Sequence, residues 1–522
     1  MNPRRLPALL LALLLALAAL VGQARAARPV PDSRLAFGLL SPCRTLDPAR
    51  TRDVESIQVE RTLFEGLVRL KDGGLDVEPC LAESWATGPG QREWTFRLRP
   101  GVRFHDGTAC NAAAVAFSLQ RLMAPPAAGS AGRKEDRPMP LADVTAVEAL
   151  DELTVRITLQ EPHAGFLQGL TLPQLAVVSP AAVAERGKDF ARHPVGTGPF
   201  VFAGWTPDGT VTVRANPRYW GAAPRLGEVV FRPVANDAQR FHDFVAGNLD
   251  AIAGVPPADA ARVSRMGDAR LYALPGLAVS YLAMNTARPP LDRPEVRRAV
   301  NHAVNTQALV RLIYQGQAEP ARGILPPGAP GYAPQLEGYP YDPARARQIL
   351  AEAGLGKGVQ LTLWTMNAPR PYLPNPVKVA EAIKGNLEAV GLSVRVVSMD
   401  FPTLLRSLPS QDYDLCLAGW VMDTPDPDDF LSSAFGGRPG YGGYNLSNWR
   451  DDRVLGLLDQ ARRQTAPDLR AGLYVRLQEI VHEQAVWVSL AYPRMLMAVR
   501  SRVQGLVLQP TGDVRFGEAW KE

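Results

Sequence analysis

Cysteine and histidine are both scarce in this chain. Its 522 residues include four cysteines, Cys43, Cys80, Cys110 and Cys416, at no short paired spacing. That excludes a zinc ribbon or a disulfide framework as the organising device, although one incidental disulfide stays open in an oxidising compartment. The six histidines are scattered, with none two to four residues from another. A histidine metal site is therefore not expected, and no metal or cofactor is expected at all. Gly-x-Ser-x-Gly, His-Glu-x-x-His and cysteine–histidine constellations are missing, which leaves a secreted hydrolase without a motif. Long apolar runs are missing too, apart from the 16 residues Leu6–Val21, too few for the roughly 20 that a membrane span needs.

What is present is a globular composition, 46% hydrophobic and 21% charged, in a chain too long for one core. Two or three domains are expected. Arg4 and Arg5 precede the apolar run, and Ala24-Arg25-Ala26 follows it with the small-residue pattern of a signal peptidase site. Residues 1–26 are thus read as an export signal cleaved near Ala26, and the first cysteine lies too far on to serve as a lipid anchor at the cleavage point. Arg4, Arg5 and Arg25 would leave with it, taking the formal net charge from +5 to +2. A mature protein so nearly balanced gives no reason to expect a nucleic-acid partner.

Further along, Phe37–Leu40 reads as a short strand and Val54 to Leu67 as a helix. Alternation with Pro-Gly and Asp-Gly turns marks an antiparallel region from Glu78 to Gly107, and Val144 to Leu159 gives two more strands. Between them, Asn111 to Met123 is helical and Ala124 to Arg137 is a loop rich in Pro, Gly and Ala. Gly196-Thr197-Gly198 invites a phosphate-loop reading, but no Lys-Ser/Thr follows it, so a backbone turn is expected; His105-Asp106-Gly107 is likewise read as a turn. After Pro289-Pro290 the chain alternates helix and strand, with helices over Pro294–Tyr314 and Pro343–Ala353. Two last strands, Trp487–Leu490 and Met495–Val499, return toward the first half and suggest a hinge.

One stretch gathers charge at strand ends. Leu361–Met366 alternates as a strand and runs into Asn367-Ala368-Pro369-Arg370-Pro371-Tyr372, whose prolines stop it. Val379, Ile383, Leu387 and Val390 recur at helical spacing, strand character resumes at Val394, and a further strand from Tyr413 to Trp420 ends before Asp423. Ligands of open α/β sheets bind outside the carboxyl ends of strands, so Arg370 and Asp423 are candidates for one site. Taken singly, Arg370 could be a solvated arginine, and Asp423, near Asp426, Asp428 and Asp429, could belong to a calcium loop, although its spacing does not match an EF-hand. Tyr372 and Trp420 could be ligand walls or core.

From end to end the mature chain resembles the extracytoplasmic solute-binding proteins of ABC importers, in particular the large peptide/nickel-binding family. The stretches that carry the resemblance are Leu81-Ala82-Glu83-Ser84-Trp85, Leu98-Arg99-Pro100-Gly101-Val102-Arg103-Phe104-His105-Asp106-Gly107, Gly196-Thr197-Gly198-Pro199-Phe200 and Pro290-Leu291-Asp292 with Val296-Arg297-Arg298-Ala299-Val300. It implies an α/β, two-lobed periplasmic-binding-protein fold (type II, cluster C) with an extra β-rich subdomain: lobe I over 27–282, its inserted subdomain at about 59–190, lobe II over 283–488, and a return to lobe I over 489–522. It also implies a periplasmic, monomeric protein that binds a dipeptide and delivers it to an ABC permease in the inner membrane. Longer peptides, glutathione, haem and a nickel chelate are the family's other ligands. Leu363-Trp364-Thr365-Met366 with Arg370-Pro371-Tyr372 looks like the segment whose arginine holds the ligand carboxylate, and Gly419-Trp420 with Asp423 like the one whose aspartate holds the ammonium. Val421-Met422 stands where the family's dipeptide binders have a smaller, more polar Thr-Gly pair.

Overall fold

The computed structural model describes residues 33–123, 139–355, 358–436 and 444–522. The expected signal, residues 1–26, and the loop of 124–137 lie outside the described residues. Strand β1 (Arg34–Leu39) is paired in parallel on both sides, which is why its Leu35, Phe37 and Leu39 are all buried. Helix α1 (Val54–Leu63) begins where the Asp53 carboxylate accepts from Ser56 N at 2.9 Å. It stops short of the expected Leu67 because Phe64 turns extended and Gly198 N donates to the Leu63 carbonyl at 3.0 Å. Gly196 and Gly198 press against that carbonyl with no room for a Cβ, and His105 bridges the same turn, Nε2 lying 3.1 Å from Gly198 O. The Gly-Thr-Gly segment is therefore a packing turn against a helix end.

A separate four-stranded antiparallel sheet follows: β2 (Ala82–Thr87), β3 (Glu93–Leu98), β4 (Val144–Ala149) and β5 (Thr154–Leu159), in the order β2-β3-β5-β4. The chain then lays down β6 (Phe200–Trp205), β7 (Val211–Ala215), β8 (Glu228–Pro233), β9 (Ala251–Ala253) and β10 (Ala269–Pro275), followed by β11 (Ala278–Met284) and β12 (Ala318–Pro320). The helix Pro294–Ala303 does not run on to Tyr314 as expected, because Val304 is extended and Asn305 caps a new turn by accepting from Ala308 N at 2.9 Å. Next come β13 (Gln360–Met366), α2 (Pro376–Glu388), β14 (Ser393–Met399), β15 (Leu415–Val421), α3 (Pro427–Phe435), α4 (Asp452–Arg463), α5 (Pro467–Glu483) and β16 (Trp487–Arg500).

The main sheet runs β14-β13-β15-β11-β16-β9-β1-β8-β7-β6. One hydrophobic core surrounds its β14-to-β11 half and another its β9-to-β6 half. Two connections join them. The first is Gly276-Leu277 between β10 and β11, and the second is β16 itself, whose Trp487–Ala491 pairs with β11 and whose Arg494–Arg500 pairs with β10. The two strands expected there are one strand of 14 residues. Pro493 does not break it, because it falls where β16 leaves β11 for β10 and faces the short edge strand β12, so no central ladder loses an amide. Away from the hinge the halves touch again through the loop after β5. Ala164 N donates to Arg462 O at 2.8 Å, and Gly165 sits so close to the Asp426 carboxylate that a Cβ would lie 2.5 Å from its oxygen.

Candidate functional site

Between the two cores lies a cleft of about 1330 Å³, its open side to solvent included. It is lined from the first core by residues of β1 and α1 and the loop after β9, from the second by the loops after β13 and β15, and at the hinge by Pro493–Leu496. Arg370 and Asp423 both line it, so the structure brings together the two charges that follow separate parallel strands.

Arg370 is held at both levels. Its backbone forms a tight bridge with Leu373, donating at 3.0 Å and accepting at 2.9 Å, between prolines that fix the loop. Its guanidinium lies 3.8 Å from the centroid of the Phe401 ring, a cation–π contact, and among the described residues its buried Nε has no hydrogen-bond partner. Asp423 is reached by solvent within the cleft, yet protein surrounds it. This removal from bulk water pushes its carboxyl up to about 6, while the Arg61 charge pulls the other way.

The acidic cluster around Asp423 is not a calcium loop. Asp428 pairs with Arg462 at 2.9 Å inside the protein, and Asp426 pairs with Arg470 and caps α3 by accepting from Asp428 N. Among the described residues no group of three or more His, Cys, Asp or Glu could hold a metal. Asp429 is pushed up to about 7 by burial and by the neighbouring carboxylates of Asp423, Asp428 and Asp426.

Tyr372 and Trp420 stand beside the cleft and are not among its lining residues. The Tyr372 ring packs onto Gly419, whose backbone leaves no space for a side chain, and touches both cores; burial pushes its phenol up to about 12. Trp420 packs on Phe430 and edge-on to Tyr444, with centroids at 5.6 and 5.2 Å. Both rings support the strand ends that carry the two charges.

Sequence reasoning missed the contribution of α1. Glu55, Gln58 and Arg61 line the cleft from this helix, whose polar face is almost wholly buried. Arg61 donates to Thr171 O at 2.9 Å and lies 3.6 Å from Asp513, and desolvation lowers its pKa to about 10. Glu55 is raised by burial, an effect that the Arg370 charge partly offsets. The only sequence signal was the density of Glu, Gln and Arg in a segment that elsewhere behaves as core.

Comparison with known proteins places this geometry. The model of bacterial extracellular solute-binding proteins, family 5, matches residues 76–442. A dipeptide-binding protein of Escherichia coli strain K12 is 31% identical over 471 residues, covering 87% of this chain and 88% of that protein. Heme-binding protein A of Haemophilus influenzae is 33% identical over 472 residues, covering 87% and 86%. The structure of a dipeptide-binding protein from Pseudoalteromonas sp. SM9913 in complex with Met-Leu superposes with a TM-score of 0.86 at 26% identity, covering 94% of this chain and all of that one. With two cores joined at a hinge and a charged cleft between them, the chain belongs to the bacterial extracellular solute-binding proteins of family 5.

Proposed function

We propose that this protein is the periplasmic, monomeric binding component of an ABC importer, that it captures dipeptides without chemically changing them, and that it hands them to a membrane permease. The observation that carries the reading is the placement of Arg370 and Asp423 in one cleft. A guanidinium grips a carboxylate through two parallel charge-assisted hydrogen bonds, and a carboxylate accepts from an ammonium. Two extended residues span roughly 7 Å, so anchors for both termini select for length: a longer peptide leaves one terminal charge buried and unpaired. Both anchors come from loops of the second core, and closure of the first core over them removes water and strengthens both interactions. Tyr372 and Trp420 stiffen those loops from behind. Named relatives support the ligand class, among them the E. coli dipeptide-binding protein and the structure that holds Met-Leu.

Isothermal titration of the refolded protein, freed of any carried-over ligand, against a dipeptide panel tests this. Arg370→Ala is expected to weaken binding by about 3 kcal/mol, on the order of a hundredfold in Kd. Undiminished affinity would remove Arg370 as the carboxylate anchor.

A further inference from the structure

The cleft's charges and its apolar surface are not mixed evenly. Arg370 and Asp423, the proposed terminal anchors, stand on loops of the second core, whereas the opposing surface presents the apolar side chains of Leu40, Ile57, Val255, Met495 and Leu496 from the first side and the hinge strand. Val421 extends this apolar wall from the second side: it lines the cleft at the end of β15 and packs against the first core. Charged groups reach this side of the cleft too, Glu55, Arg61, Asp237, Arg494 and Asp513 among its lining residues, and several of them are held by protein partners. Arg61 bonds Thr171 O and faces Asp513, and Asp237 accepts from Arg240 at 2.6 Å. An extended dipeptide tied at both ends to the second core points its two side chains to opposite sides, and one of them then faces carbon.

We propose that this cleft selects dipeptides with a large aliphatic side chain, and that this apolar wall together with Val421 is what reads it. The inference rests on the dipeptide reading above and adds the ligand class to it. Burying a leucine side chain against such a wall raises affinity by at least about tenfold relative to glycine. An asparagine of nearly the same size gains little, because its amide loses water without a fixed partner. Val421 matters for a specific reason: a threonine there keeps the shape but places a hydroxyl in the wall, which softens the penalty on polar side chains.

The test is calorimetric titration of the refolded protein with Leu-Leu, Asn-Asn and Gly-Gly, which share both termini, repeated on Val421→Thr. Leu-Leu is expected to bind at least about tenfold more tightly than either of the others, with the Leu-Leu over Asn-Asn ratio shrinking severalfold in Val421→Thr. Equal affinities for the three dipeptides would overturn the proposed selection while leaving the terminal anchors standing. An unchanged ratio in the variant would remove Val421 from the wall that reads the side chain. Binding of none of the three would overturn the dipeptide reading itself, and the selection with it.

Discussion

At Asp423, which solvent reaches through the cleft, the surrounding protein and the proposed role pull in opposite directions. The carboxyl titrates at about 6, above its ordinary range, because the cleft withholds bulk water from its charge. Proton uptake therefore stabilises the ligand-free cleft as pH falls through 6, whereas a ligand ammonium needs the anion. Dipeptide affinity is accordingly expected to be highest between about 6 and 7, where carboxylate and ammonium are both charged, and to drop by up to roughly tenfold per pH unit below that, until the lower pKa that Asp423 has beside a bound ammonium is reached. Titration calorimetry between pH 5 and pH 8 checks this, and in Asp423→Asn the binding should be weaker overall and the acid slope lost; a wild-type profile without a break near 6 contradicts the assignment. His105 carries a pH effect on stability instead. Burial lowers it to about 4, so its contribution is complete above the unfolded value of about 6.5 and is lost as pH falls from there through 4. Arg370 and Asp423 were legible in the sequence because strand ends are marked by prolines and by the end of alternation. Glu55 and Arg61 were not, since Val54–Leu63 has the composition of a surface helix. Its burial depends on residues remote in the chain, as when Gln58 exchanges two 2.8 Å hydrogen bonds with the backbone of Val514.

Between elements, the contact through the loop after β5 is sensitive to a small change, because it has no room for a Cβ at Gly165. The loop after β5 meets α3 and α4 of the other half with Gly165 against Asp426 and Ala164 N on Arg462 O, while His163 lies between Asp143 and Asp428, its Nε2 at 3.7 Å from the latter. Gly165→Ala places a Cβ on the Asp426 carboxylate, which Arg470 holds in position, so the two halves must part there. Dipeptide affinity in that variant is expected to fall on the order of tenfold while the melting temperature changes little, since neither core is touched. Calorimetry paired with thermal melting separates the two; an unchanged affinity means this contact contributes nothing to closure. Gly196→Ala should behave in the opposite way, costing several kcal/mol of stability by a clash with the Leu63 carbonyl and leaving residual binding intact in the folded fraction. The elements themselves were largely legible from period and punctuation. β16 was not, because a proline inside an apolar run reads as a stop unless the strand's change of partners is known.

For the molecule as a whole, among the described residues, only Gly276-Leu277 and β16 carry the chain between the halves of the sheet, so their relative motion is governed by few backbone torsions and by what lies in the cleft. Family membership was readable from sequence motifs spread along the chain, but which residues of the first core face Arg370 and Asp423 across the cleft needed the fold. Saturating dipeptide is expected to reduce the radius of gyration in small-angle scattering, as one half closes on the other. The proposed recognition is narrower: both termini of a dipeptide would bind as charges, to Arg370 and Asp423. It is tested most directly by titrating the refolded protein with Leu-Leu and with the same dipeptide acetylated at its amine or amidated at its carboxyl. Loss of on the order of a hundredfold for each single block is the predicted result; blocked dipeptides that bind as tightly as the free one would contradict it.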